Sequence, residues 1–90
     1  MDVDALPGAD LVARGLADLT AGDESVEALL VSLASMKLRD LGLEVPAPLD
    51  DPELRLYRLL EREHGDAAHG RYNSLVRRLV SFERALACVS

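Results

Sequence analysis

Ninety residues suffice for one domain and not for two, and a chain of this size buries only about 60–65% of its unfolded surface. Hydrophobic residues make up 49% of the sequence, yet the aromatics are only Tyr57, Tyr72 and Phe82 and there is no Trp, so the core must be aliphatic, and Leu and Ala favour helix. A net charge of −6 argues against nonspecific nucleic-acid or anionic-membrane binding, the single Cys88 excludes an internal disulfide or a Cys-based zinc site, and no apolar run is long enough to span a bilayer.

Met1 to Ala5 carry two acids and no basic residue, the wrong charge for a signal peptide. Residues 1–7 are expected to form a short flexible tail that ends at the Pro7-Gly8 punctuation. A first helix follows from about Ala9 to Thr20, with Leu11, Val12, Leu16 and Leu19 on its apolar face. Gly15 in its middle costs helix propensity and marks a candidate close crossing. Gly22 suits the left-handed position that ends a helix, and Asp23 is expected to cap the next one.

The second helix is expected to run to about Leu41. Val26, Leu29, Leu30, Val31, Leu33, Ala34, Met36 and Leu38 cover more than half its circumference, the mark of a helix buried on several sides. Gly42 fits its C′ position, with Leu38 and Leu43 placed for a Schellman contact. Pro46 and Pro48 make residues 43–50 an extended linker. Asp51-Pro52-Glu53 is a strong helix start, with Asp51 as cap and Pro52 at the first helical position.

The third helix runs to about His64, with Leu54, Leu56, Tyr57, Leu59 and Leu60 as apolar residues. A second Gly-Asp junction at Gly65-Asp66 leads into the fourth helix, whose regular part is expected to start near Arg71 because Gly70 interrupts it. Ala68, Tyr72, Leu75, Leu79, Phe82, Leu86 and Val89 repeat at alternating spacings of four and three, a heptad seam. The expected fold is therefore all-α: one domain, a four-helix bundle made of two antiparallel helical hairpins (8–42 and 51–90) joined by the Pro-containing linker.

Charge is uneven along the chain. Residues 1–65 hold six Lys/Arg and fourteen Asp/Glu, whereas residues 66–90 hold four Arg (Arg71, Arg77, Arg78, Arg84) and two acids (Asp66, Glu83). The arginines of the fourth helix open a route to RNA binding, but the aromatics lie on the seam and are not interleaved with them. The densest polar cluster is His64, Asp66, His69, Arg71, Tyr72 and Asn73, around the third junction. A polar turn explains most of it. His64 and His69 lack metal-ligand spacing, so no metal site is expected, and no Gly-rich loop or Gly-x-Ser-x-Gly elbow points to a cofactor or a nucleophile.

Arg58 and His64 are separated by five residues. The pair resembles the Arg and His, four to six residues apart, of the HEPN-like ribonucleases, which are small helical bundles. The resemblance covers these two residues and the four-helix outline. It implies a His acting as general acid or base and an Arg holding phosphate.

Unless the heptad seam packs only inside its own bundle, it supports a different function, that of a non-enzymatic protein-interaction or regulatory domain that self-associates or binds another protein. Tyr72, Leu75, Leu79, Phe82 and Leu86 form the expected interface, with Arg78 and Glu83 at its rim, and a two-fold homodimer is the simplest assembly. A reducing, cytoplasmic setting is expected from the lone cysteine.

Overall fold

Glycine and serine chemistry sets most of the helix ends in the computed structural model, which describes residues 3–89. Among these residues are five α-helices: α1 (Ala9–Ala21), α2 (Val26–Leu33), α3 (Ser35–Asp40), α4 (Pro52–His64) and α5 (Ala68–Val89). Short 3-10 turns occupy Val3–Ala5 and Gly65–Ala67, and no strand occurs among the described residues. The chain is all-helical, and α1, α2, α4 and α5 pack together.

Gly22 (φ 79°) and Gly42 (φ 99°) both take the left-handed conformation that stops a helix. After each, the next amide reaches back five residues: Asp23 N–H to the Asp18 carbonyl at 2.8 Å, and Leu43 N–H to the Leu38 carbonyl at 3.0 Å. With the Gly22-to-Leu19 and Gly42-to-Arg39 bonds, both ends are Schellman motifs. Asp23 is occupied in this way and does not cap α2. Ser25 does, its hydroxyl accepting from the Ala28 N–H at 3.0 Å while donating to the Asp18 carboxylate at 2.6 Å.

The second helix is not continuous to Leu41. It breaks at Ala34 (φ −97°, ψ 9°) into α2 and α3. The cause lies at Ser32, which is buried. Its hydroxyl donates back to the Ala28 carbonyl at 2.8 Å and accepts the Leu49 N–H at 3.0 Å. A hydroxyl bonded onto the preceding turn bends a helix, and here it also stitches the linker to α2. The Arg39 guanidinium holds the same linker by donating to the carbonyls of Val45 and Pro46 at 2.9 and 3.1 Å.

Pro52 opens α4 as expected. Asp51 stands at the cap position with φ 46°, but its side chain makes no capping bond; its carbonyl accepts the Arg55 N–H instead. The fourth expected helix begins at Ala68, before Gly70 rather than after it.

Residues 3–7 depart from the expected flexible tail. Leu6 N–H bonds the Val3 carbonyl, Ala9 N–H bonds the Leu6 carbonyl, and Val3 and Leu6 pack half-buried on the core. Gly8 (φ 77°) lies directly on α5: a Cβ there would sit 2.6 Å from the Arg78 carbonyl. The N-terminal segment thus roofs part of the α5 seam.

Helix α2 is the central element. Ala28, Leu29, Leu30 and Val31 are wholly buried, joined in the core by Val12, Leu38, Leu56, Leu60 and Phe82. On its flank, Glu24 and Arg55 pair at 2.7 Å and tie the α1–α2 turn to α4. The total accessible surface is 5482 Å². A compact monomer of this mass exposes about 5,200 Å², so the chain covers its own core.

Gly15 is a close crossing. A Cβ there would collide with the Glu27 carbonyl oxygen and the Val31 Cγ2 of α2. Gly15→Ala should therefore destabilise the fold by about 1–3 kcal/mol despite its better helix propensity. Gly70→Ala meets nothing within 4 Å and should stabilise by about half a kcal/mol. Chemical denaturation of the two variants checks the contrast.

Candidate functional site

Heptad periodicity says that a helix face is buried, and in α5 the chain itself does the burying. Leu75, Leu79, Phe82 and Leu86 all lie within the core of the single chain. Their side chains are unavailable to a partner unless the fold opens. Arg78 and Glu83, expected at an inter-chain rim, also turn to neighbours in their own chain. Arg78 donates to both carboxylate oxygens of Asp10 on α1, at 3.2 and 3.3 Å. Glu83 lies close enough to Lys37 of α3 to feel its charge. Partial burial raises the Glu83 carboxyl above its ordinary value, and Lys37 offsets only some of that.

The polar junction is open to solvent: His64, Asp66, His69, Arg71 and Asn73 are all exposed. Asn73 Nδ2 lies 3.3 Å from His69 Nε2. Among the described residues no group of three His, Cys, Asp or Glu side chains is placed to hold a metal ion. His64 lines a hollow between α4, α5 and the start of α2, together with Glu27, Glu63, Arg71 and Arg78. Arg58 does not line it. Arg58 lies with Glu61 and Arg62, and with Glu24 and Arg55, on other parts of α4. Six residues of helix turn a side chain through about 600°, so positions 58 and 64 diverge by about 120°. The two residues of the ribonuclease-like pair do not share a cleft.

Among the described residues, the large apolar side chains left outside the core are Met36 of α3, 77% exposed, Val89 at the end of α5, and Leu54; the last belongs to a strip that the sequence pattern hid. Leu54 of α4 is 53% exposed. With Leu33 at the end of α2 and with Pro52 and Tyr57, it lines a shallow groove rimmed by Asp51 and Glu53. Tyr57 continues the strip toward α5: its ring lies 5.9 Å from that of Tyr72 at a tilt of 54°, and 6.5 Å from the His69 imidazole. Desolvation, reinforced by Glu53, raises the Tyr72 hydroxyl above the ordinary tyrosine value, so Tyr72 stays neutral.

The signal for Leu54 is present in the sequence once a helical wheel is drawn. Leu56 and Leu60 are the buried residues of α4, and position 54 lies about 200° from position 56. Counting Leu54 with the apolar face overlooked this opposition. Chemically, the strip offers desolvation and aromatic edges with an acidic rim, an arrangement suited to binding a protein surface.

Leu79→Ala should lower stability by roughly 2–5 kcal/mol at every protein concentration, whereas Leu54→Ala should stay within about 0.5 kcal/mol of the parent. Denaturation at two protein concentrations separates a core role from an interface role. Glu83→Gln makes a second contrast. A carboxyl raised in the folded state contributes stability below its unfolded pKa and loses it as pH rises through the folded pKa. The variant should therefore be the more stable protein at pH 7, and its advantage should vanish as pH falls below the carboxylate range. Thermal unfolding across pH reads this out.

Comparison of the chain with protein-family models, with curated proteins and with solved structures finds no match.

Proposed function

We propose that the chain is a non-enzymatic protein-interaction or regulatory domain that self-associates, and that it does so through the Leu33–Pro52–Leu54–Tyr57 strip rather than through the α5 seam. The observation that carries this is Leu54, a large apolar side chain 53% exposed that lines a groove with Leu33, Pro52 and Tyr57; Met36, also exposed, is not among the residues lining that groove. The architecture behind the reading is a four-helix bundle, with α1/α2 and α4/α5 as antiparallel hairpins and α3 as an appendage. A homodimer with two-fold symmetry is the simplest assembly, in a cytoplasmic setting that keeps the exposed Cys88 reduced.

The RNA-directed readings have no comparable support. Arg58 and His64 line different hollows, and Arg78, one of the four α5 arginines, is engaged by Asp10.

Because the core is covered within one chain, association is expected to be reversible and to leave each copy folded when apart. Light scattering over a concentration series should show a molar mass rising from 9.8 kDa toward twice that value. Leu54→Glu should hold the mass at that of one chain with unchanged helicity and melting temperature. A parent chain that stays monomeric at the highest concentration removes self-association from the reading.

A further inference from the structure

The face of α4 around Leu54 carries charge in an order that selects a partner. Its outer side reads Asp51, Leu54, Arg58: an acid three residues before the exposed leucine and an arginine four residues after it. Leu54 and Arg58 fall within about 40° of one another around the helix axis, one turn apart, and Asp51, the residue before the helix, lines the same groove as Leu54. All three are exposed. Among the described residues, the ion pairs of this region use Arg55 and Glu24, leaving the Asp51 carboxylate and the Arg58 guanidinium without a partner. Asp51 does not spend its carboxylate on the helix start either.

We propose that a second copy of this chain occupies the strip, with the two α4 helices antiparallel, Leu54 against Leu54 on the two-fold axis, and Asp51 of each copy paired with Arg58 of the other. This rests on the self-association reading above and specifies its geometry. Reversing one helix about Leu54 brings an acid onto a base on both sides of the axis, because the leucine stands almost midway between them. A parallel pairing brings Asp51 onto Asp51 and Arg58 onto Arg58, and like charges reject it. The apolar strip supplies the attraction and the two reciprocal pairs set direction and register. The contact spans about two helical turns and its charged pairs lie at the surface, where salt screens them, so the dimer is weak.

Analytical ultracentrifugation of the full chain tests this. Arg58→Glu places like charges across both contacts and should weaken dimerisation roughly tenfold, an effect that about 1 M salt should remove. Asp51→Lys should do the same. The double variant, Asp51→Lys with Arg58→Glu, inverts both pairs and should regain the affinity of the parent. Because Asp51 has a left-handed backbone, which suits Asn better than Lys, Asp51→Asn serves as the milder form and should weaken the dimer less than Arg58→Glu. A crosslink gives an independent readout. In a Cys88→Ser background, Leu54→Cys should form an inter-chain disulfide on oxidation at concentrations where the parent dimerises, and Glu61→Cys should not. If the parent dimerises but Arg58→Glu leaves its affinity unchanged, or Leu54→Cys fails to crosslink, this geometry is overturned and self-association stands. If the parent stays monomeric throughout, the self-association reading falls and this geometry with it.

Discussion

Five successive residues of α2, Ala28 to Ser32, must be hidden from water, and the positions of the other helices follow from that need. Its sequence offers no polar face: Ala28, Leu29, Leu30 and Val31 are successive and all wholly buried. Helix α1 covers one side by coming so close that position 15 has no room for a Cβ. Helix α4 covers another with Leu56 and Leu60, and is tied in place by the Arg55–Glu24 pair. Helix α5 then closes the remaining space with its leucines and Phe82. Even the one polar side chain buried in α2, Ser32, is used: its hydroxyl is satisfied on both sides, by the Ala28 carbonyl and the Leu49 amide. Leaving that hydroxyl unpaired would cost more than the bond gains.

Features that act over one or two turns were legible in the sequence. Gly22 and Gly42 admit a left-handed backbone because they lack a Cβ, Pro52 fixes φ through its ring, and each ends or starts a helix where expected. The broad apolar coverage of the second helix foretold a central, buried element as far as Val31 and again at Ala34 and Leu38, but Met36, counted with them, is 77% exposed. The features that escaped depend on distant partners. The break at Ala34 is produced by a serine whose second hydrogen bond goes to a residue 17 positions away. The close approach of Gly8 to α5 depends on a helix that begins sixty residues later, and the packing of Val3 and Leu6 depends on the assembled core. Neither is written in local periodicity.

The candidate site shows the same division. A heptad pattern reports that a face is apolar and is silent about what covers it. In α5 the pattern held from Ala68 to Leu86, with Val89 exposed, and the cover was intramolecular. Leu54 was the reverse case, an apolar residue opposite a correctly assigned face. The difference between the two lies in angle. Leu75, Leu79, Phe82 and Leu86 follow one line along their helix, whereas Leu54 lies about 200° from Leu56. Hydrophobicity placed them in one class, and geometry separates them.

Where an interface lies relative to the core decides how assembly and folding are linked. Had the α5 seam been the contact, a lone chain would expose Leu75, Leu79, Phe82 and Leu86, and its stability would depend on protein concentration. The seam is spent internally, so on the proposed reading association is a separate equilibrium from folding. A contact built on Leu54, Asp51 and Arg58 sits on the outer side of α4, away from Leu56 and Leu60. Its strength can be tuned by charge and ionic strength without altering a buried side chain. That separation suits a regulatory domain, in which the assembled fraction should follow concentration while each copy remains folded.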